Sequence, residues 1–167
     1  GSNNVGLGRY ALALNTTASY NTAVGYQAAY SNTTGADNTA MGTAAMYPNT
    51  TGNYNAAFGS ASLRQNTTGS SNTALGQSAL NKNTTADANT AVGYHAGYSN
   101  TTGSPVTAMG YYTLDQNTTG VHNNAYGYRA MRLNTTGGYN TALGGDALYS
   151  NTTANNNTAV GYRASHD

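Results

Sequence analysis

Apolar positions return along this chain every 17 residues, and the polar positions between them return with the same step. Counted from Asn4, repeats begin at Asn4, Asn21, Asn38, Asn55, Asn72, Asn89, Val106, Asn123, Asn140 and Asn157, giving nine full units and a tenth of eleven residues. Self-similarity at a fixed period marks a repeat architecture and outranks any local reading. The consensus is N-T-A-φ-G-Y-x-A-L-x-x-N-T-T-G-x-x, with φ apolar, and its positions define columns 1 to 17. Column 3 is Ala except at Gly6, and column 4 is always apolar or aromatic, from Leu7 and Val24 to Tyr126 and Val160. Columns 8 and 9 are mostly Ala and mostly Leu or Met.

Four columns, 5 and 12 to 14, do not vary at all. Column 5 is Gly8, Gly25, Gly42, Gly59, Gly76, Gly93, Gly110, Gly127, Gly144 and Gly161, a strictness that demands a positive φ or a very close neighbour. Column 12 is Asn15, Asn32, Asn49, Asn66, Asn83, Asn100, Asn117, Asn134 and Asn151, each followed by Thr-Thr. Column 15 accepts Ala18, Ala86 and Ala154 as well as Gly, so its φ is expected to be ordinary. A second period of four coils overlies the first, with column 4 running Leu, Val, Met, Phe and then Leu, Val, Met, Tyr. Duplication of a four-coil block and alternation of core volume both account for it.

Seventeen residues are too few for a helix pair or a four-stranded blade, and they suit one coil of a parallel β-solenoid. The predicted fold is all-β, a β-solenoid or β-roll with strands at columns 1–5 and 12–14. Columns 6–11 leave room for one short helical turn, since Arg129-Ala130-Met131-Arg132-Leu133 is made of good helix formers. Like residues would stack every ~4.8 Å, making a rod about 45 Å long. Asn and Thr ladders are stable in that setting because each side chain meets its own copy above and below. Residues 4–167 form a single array; residues 1–3 are a lead-in whose Gly1-Ser2 reads as a cloning remnant, so the natural protein is expected to be longer.

Charge then assigns the faces. Charged residues make up 7% of the chain, against about 25% in ordinary domains. All of them fall in columns 6, 7, 10, 11, 16 and 17. Charges are seldom buried unpaired, so columns 1–5, 8–9 and 12–15 are expected to be buried or to face something. A strand points its side chains both ways, so one face of columns 1–5 can be core while the other needs a cover. The simplest cover is another copy of the chain; the rival is a flat Thr and Asn face kept for a ligand.

Composition removes several function classes. The net charge of +1 implies no polyanion, so no nucleic acid is expected as partner. No apolar run approaches the ~18 residues that span a bilayer, so no membrane insertion is expected. There is no Cys. His95, His122 and His166 fall in three different columns, so no metal ladder is expected. The Asp residues are scattered and Glu is absent, so no paired-carboxylate site stands out, and no enzyme activity or cofactor is expected. Each Asn-Thr-Thr matches a glycosylation acceptor, a match that an inward Asn ladder also explains. Tyrosine is the suggestive surface residue. Column 6 holds Tyr26, Tyr94, Tyr111, Tyr128 and Tyr162, candidates for recognition of glycans or proteins, or rings that only cover the coil edges.

The stretch Asn21-Thr22-Ala23-Val24-Gly25-Tyr26-Gln27-Ala28, with copies at 89–96 and 157–164, resembles the head repeats of trimeric autotransporter adhesins. The full N-T-A-φ-G…N-T-T-G unit is also similar to repeat arrays of phage and bacterial tail-fibre proteins, across residues 4–167. The resemblance implies a left-handed β-roll, three chains to a fibre, an extracellular, cell-surface or virion location, and a role in surface attachment to a glycan or protein receptor. The adhesin repeat is shorter than 17 residues, and the matching motif is structural, so no binding residue carries over. Three functions remain in competition: a structural fibre or adhesin segment, an ice-binding protein using Thr and Asn ladders, and a carbohydrate-binding module using the Tyr rows.

Overall fold

A computed structural model describes residues 1–166; Asp167, one of the charges assigned to column 11, lies outside the described residues. The strands are β1 (Val5–Leu7), β2 (Thr22–Val24), β3 (Thr39–Met41), β4 (Ala56–Phe58), β5 (Thr73–Leu75), β6 (Thr90–Val92), β7 (Val106–Met109), β8 (Asn123–Tyr126), β9 (Thr141–Leu143) and β10 (Thr158–Val160). They form one sheet in chain order, each strand parallel to the next. Pairing joins like to like one repeat apart, as Ala23 to Ala40 and Ala40 to Ala57. The chain is a parallel β-solenoid of about nine turns, with one short strand per coil.

Two expected elements are absent from the described residues. Columns 6–11 form no helix. Columns 7 and 9 hold φ near +50°, as at Arg129 (+54°) and Met131 (+51°). A left-handed residue at every second position stops a right-handed turn from propagating. The amides there bond to the coils on either side instead: Gln27 N–H donates to the Arg9 carbonyl at 3.0 Å and Ala29 N–H to the Ala45 carbonyl at 2.9 Å. Stacking thus overrides helix propensity.

Columns 12–14 form no second strand either. Three successive amides, of Thr33, Thr34 and Gly35, converge on the single Thr50 carbonyl at 3.1, 3.0 and 3.2 Å. The Thr33 hydroxyl donates to the same oxygen at 2.9 Å. A backbone curved enough to aim three amides at one oxygen cannot make the evenly spaced ladder of a strand.

The strands are short for a related reason. The column 1 amide is captured by a side chain: Asn38 N–H donates to Asn21 Oδ1 at 2.9 Å, and Asn55 N–H to Asn38 Oδ1 at 2.9 Å. The coil that begins at Val106 tests the rule, since Val offers no such oxygen. There Val106 pairs with Asn123 in the ladder, and β7 and β8 each gain a residue, while the Val106 amide itself still donates to Asn89 Oδ1 at 2.8 Å.

The interior has an apolar half and an amide half. Ala of columns 3 and 8 and Leu or Met of column 9 form the first, with Met46, Leu63, Leu80, Leu114 and Met131 its largest fully buried members. Asn of columns 1 and 12 form the second, almost all fully buried. In column 12, Asn66 Nδ2 donates to Asn49 Oδ1 at 2.8 Å and to the Gly69 carbonyl at 2.8 Å, while Asn83 Nδ2 donates to Asn66 Oδ1 at 2.8 Å. Both amide hydrogens are committed inside the stack, which leaves no place for a glycan on these nitrogens in the folded rod. The column 15 carbonyl also receives column 1, as Gly69 O receives Asn55 Nδ2 at 2.9 Å. Column 5 shows why it is always Gly: at Gly59 φ is +130°, and a Cβ would lie 2.6 Å from the Gly76 carbonyl oxygen of the next coil.

Burial divides the charge-free columns into inward and outward ones, and it corrects the reading of the charge-bearing ones. Columns 2, 4, 13 and 14 are not hidden: Thr73, Leu75 and Thr85 are exposed, and Thr67 is half-buried. Conversely, Asp115 and Asp146, in charge-bearing columns, are 9% and 5% exposed.

Candidate functional site

Strand alternation sends columns 1 and 3 inward and columns 2 and 4 outward. The outward row of column 4 carries Leu7, Met41, Leu75, Met109, Tyr126, Leu143 and Val160, all exposed. Beside it lie the Thr of column 2 and the Tyr of column 6; just before each strand lies column 17, with exposed Tyr20, Tyr54 and Tyr139. Of all exposed large apolar or aromatic residues, only Tyr10 and Leu14 fall outside columns 17, 2, 4 and 6. These columns bear two charges, Arg9 and Asp37, both near the start of the chain. The sheet face is therefore a long apolar and hydroxyl-bearing strip.

The column 6 tyrosines named from the sequence divide into groups. Tyr94, Tyr111 and Tyr128 stack in succession, with centroids 5.3 and 5.7 Å apart and planes within 19° and 10°. Tyr26 stands apart, edge-on to Tyr10 at 6.3 Å. Tyr162 is separated from the stack by Gly145, the column 6 residue of the preceding coil, which carries no ring. Among the Thr ladders, the column 13 hydroxyls are engaged with the next coil, as Thr67 Oγ1 donates to the Thr84 carbonyl at 3.0 Å.

A second feature lies on the turn side and does not stand out in the sequence. A depression of about 670 Å³ is lined by Lys82, His95, Tyr98, Tyr112 and Asp115, with Ser99 and Gln116 beside them and Thr101, Thr118 and Thr135 along one wall. His95 stacks on Tyr98 (4.3 Å, 5°) and on Tyr94 (4.3 Å, 22°). Asp115 Oδ1 is 3.5 Å from His95 Nδ1, and its Oδ2 is 3.8 Å from Arg132 Nε. Burial raises the Asp115 carboxyl above its ordinary pKa, and Arg132 and His95 oppose that rise. The Tyr112 phenol is also raised, first by its hydrogen bond with Tyr94. A neighbouring pair, Arg129 and Asp146, closes at 2.8 Å, and that bond raises the pKa of Arg129.

These residues sit in columns 7, 10 and 11 of consecutive coils. The readable signal was the concentration of Lys82, His95, Asp115 and Arg132 within four coils; reading charges by column alone scattered them. Among the described residues no group of three or more His, Cys, Asp or Glu is placed to hold a metal ion. Comparison with known proteins gives no match to any family profile, curated sequence or solved structure.

Proposed function

We propose that this chain is a non-catalytic structural segment of an extracellular or virion-borne fibre or adhesin, in which copies pack side by side, three to a fibre, through the sheet face. The observation that carries the reading is the gathering of nearly every exposed large apolar residue onto columns 17, 2, 4 and 6. A contiguous apolar strip on a soluble chain acts as an interaction surface. Charge is kept off the same strip beyond Asp37, which removes the repulsion that like faces would otherwise feel. The repeat supplies identical contacts along the whole rod, so the interface grows with every coil.

The ice-binding alternative has less to work with. The column 13 hydroxyls are already donated, and column 4 mixes Val with Met, Phe and Tyr, so the outward sheet face is uneven. Carbohydrate binding retains one specific support, the stacked Tyr94, Tyr111 and Tyr128. Multi-angle light scattering tests the main reading. The expected mass is three times 17.1 kDa. A monomer at all concentrations overturns self-association, and a stable dimer overturns the trimer.

A further inference from the structure

Column 10 is mostly a row of long side chains, and it dips where the short Asp115 stands between Tyr98 and Arg132. The 670 Å³ depression lies over that dip, within the ~300–1,000 Å³ typical of small-molecule sites. One cation, Lys82, lines it, and a second, Arg132, stands behind two of its lining residues, Tyr112 and Asp115; each cation is held over a ring. Lys82 Nζ is 5.1 Å from the Tyr98 centroid, and Arg132 Cζ is 4.9 Å from that of Tyr112. The rings are fixed in turn by His95, Tyr94 and Tyr111. Charges placed in advance in this way lose little freedom when a ligand arrives.

The electrostatic sum is unequal. Lys82 in the lining and Arg132 just behind it outnumber the one carboxylate, Asp115, so the excess positive charge comes from Arg132. Arg132 Nε is buried and makes no hydrogen bond, since its 3.8 Å approach to Asp115 is too long for one. The wall is apolar in a specific way. Thr101, Thr118 and Thr135 donate their hydroxyls to the next coil, so what they offer the depression is their methyl groups.

We propose that this depression binds an acidic saccharide unit, a pyranose whose C–H face lies against the threonine methyls and tyrosine edges and whose carboxylate is taken by Lys82 beside Arg132. A neutral sugar would leave the excess positive charge unmatched. A small inorganic anion would leave the apolar wall uncovered. Gln116 and Ser99 provide hydrogen-bonding groups for ring hydroxyls. The site lies on the turn side, so it does not rest on packing of the sheet face.

Isothermal titration of the intact chain with tetragalacturonate, its methyl ester and inorganic phosphate provides the test. Saturable binding of the acid is expected, about tenfold weaker for the ester and for Lys82→Gln, the cost of one lost charge contact. Arg163→Gln, remote from the depression, should bind as the unaltered chain does. Amide shifts mapped by NMR on the unaltered protein should centre on residues 95–118, which locates the site without relying on any variant's folding. No saturable binding, equal affinity for the ester or for phosphate, retained affinity in Lys82→Gln, or shifts centred elsewhere would each overturn the proposal. Solution mass, measured separately, reports on fibre assembly and not on this site.

Discussion

The sheet side and the turn side of each coil solve opposite problems with the same repeat. The sheet side has regular backbone, small buried Ala beneath it and large apolar groups outside. The turn side has backbone with left-handed residues in alternate positions, the largest buried side chains beneath it, and charge and aromatic rings outside. Conventional expectation would put the large apolar groups under the sheet. Here a 17-residue coil is too narrow for them: Ala is all that fits at column 3 across from column 9. The sheet face is thereby left to present its bulk outward, the face that the proposed fibre would cover with a neighbouring copy.

The sharpest way to break this contrast is to charge the sheet face. The triple variant Leu75→Lys, Met109→Lys and Leu143→Lys alters only exposed groups. It should leave the fold intact and convert the proposed trimer to a 17.1 kDa monomer in light scattering. The matching turn-side change, Arg64→Glu with Gln65→Lys, should leave the mass unchanged. A triple variant that remains assembled would show that the strip is not the interface.

Next in size is the amide half of the interior, which ties the two sides together. Asn66→Ala removes the donor to Asn49 Oδ1 and the acceptor for Asn83 Nδ2. Two stranded interior groups cost about 1–3 kcal/mol each, a large share of the ~5–15 kcal/mol that holds a typical domain. In a stack where each coil meets only its neighbours, the loss should be local. Hydrogen exchange should quicken first in coils 3 to 5, and the urea midpoint of the whole chain should fall. Slightly smaller is Leu114→Ala, which empties the apolar half at one coil and should cost about 2–5 kcal/mol. An equal loss from truncating exposed Leu143 would contradict the placement of bulk described above.

Much of this was legible in the chain itself. The period specified one coil, Gly at column 5 marked a corner of positive φ, and invariant Asn at column 12 marked a ladder whose amides bond from coil to coil. What was illegible lies mostly in the bonds and contacts between coils. Columns 7, 9 and 17 adopt left-handed φ with Leu, Tyr, Arg and Ala rather than Gly. A left-handed residue is disfavoured by roughly 1–2 kcal/mol on its own. That cost is offset by bonds to neighbouring coils, which no reading of one repeat displays. The missed helical turn follows from this, and the missed strand at columns 12–14 follows from another bond between coils, the three amides that converge on one carbonyl. The absence of charge also carried two meanings that look alike in sequence: burial, as for Ala40, and an outward apolar face, as for Met41. Only the strand's alternation in three dimensions separates them. The depression went unseen because Lys82, His95, Asp115 and Arg132 are neighbours across coils and not along the chain.

The smallest effect expected concerns Asp115 and the direction of its pH dependence. Burial raises its carboxyl above the ordinary value despite Arg132 and His95. A group whose pKa is higher folded than unfolded favours the fold while it is protonated in both states, and that advantage fades as pH rises through the folded value. The ionised form at neutral pH is therefore a mild burden on the native rod, limited because Arg132 and His95 oppose the effect of burial. Asp115→Asn keeps the shape and removes the titration. Its melting temperature relative to the parent should rise as pH is raised from the strongly acidic side to neutrality, levelling off above the raised pKa. A difference that instead falls over this range would mean that Arg132 and His95 outweigh burial. The turn side would then be a net source of electrostatic stability, and its charge cluster would no longer contrast with the sheet side as a region that gives up stability for an accessible, positively charged depression.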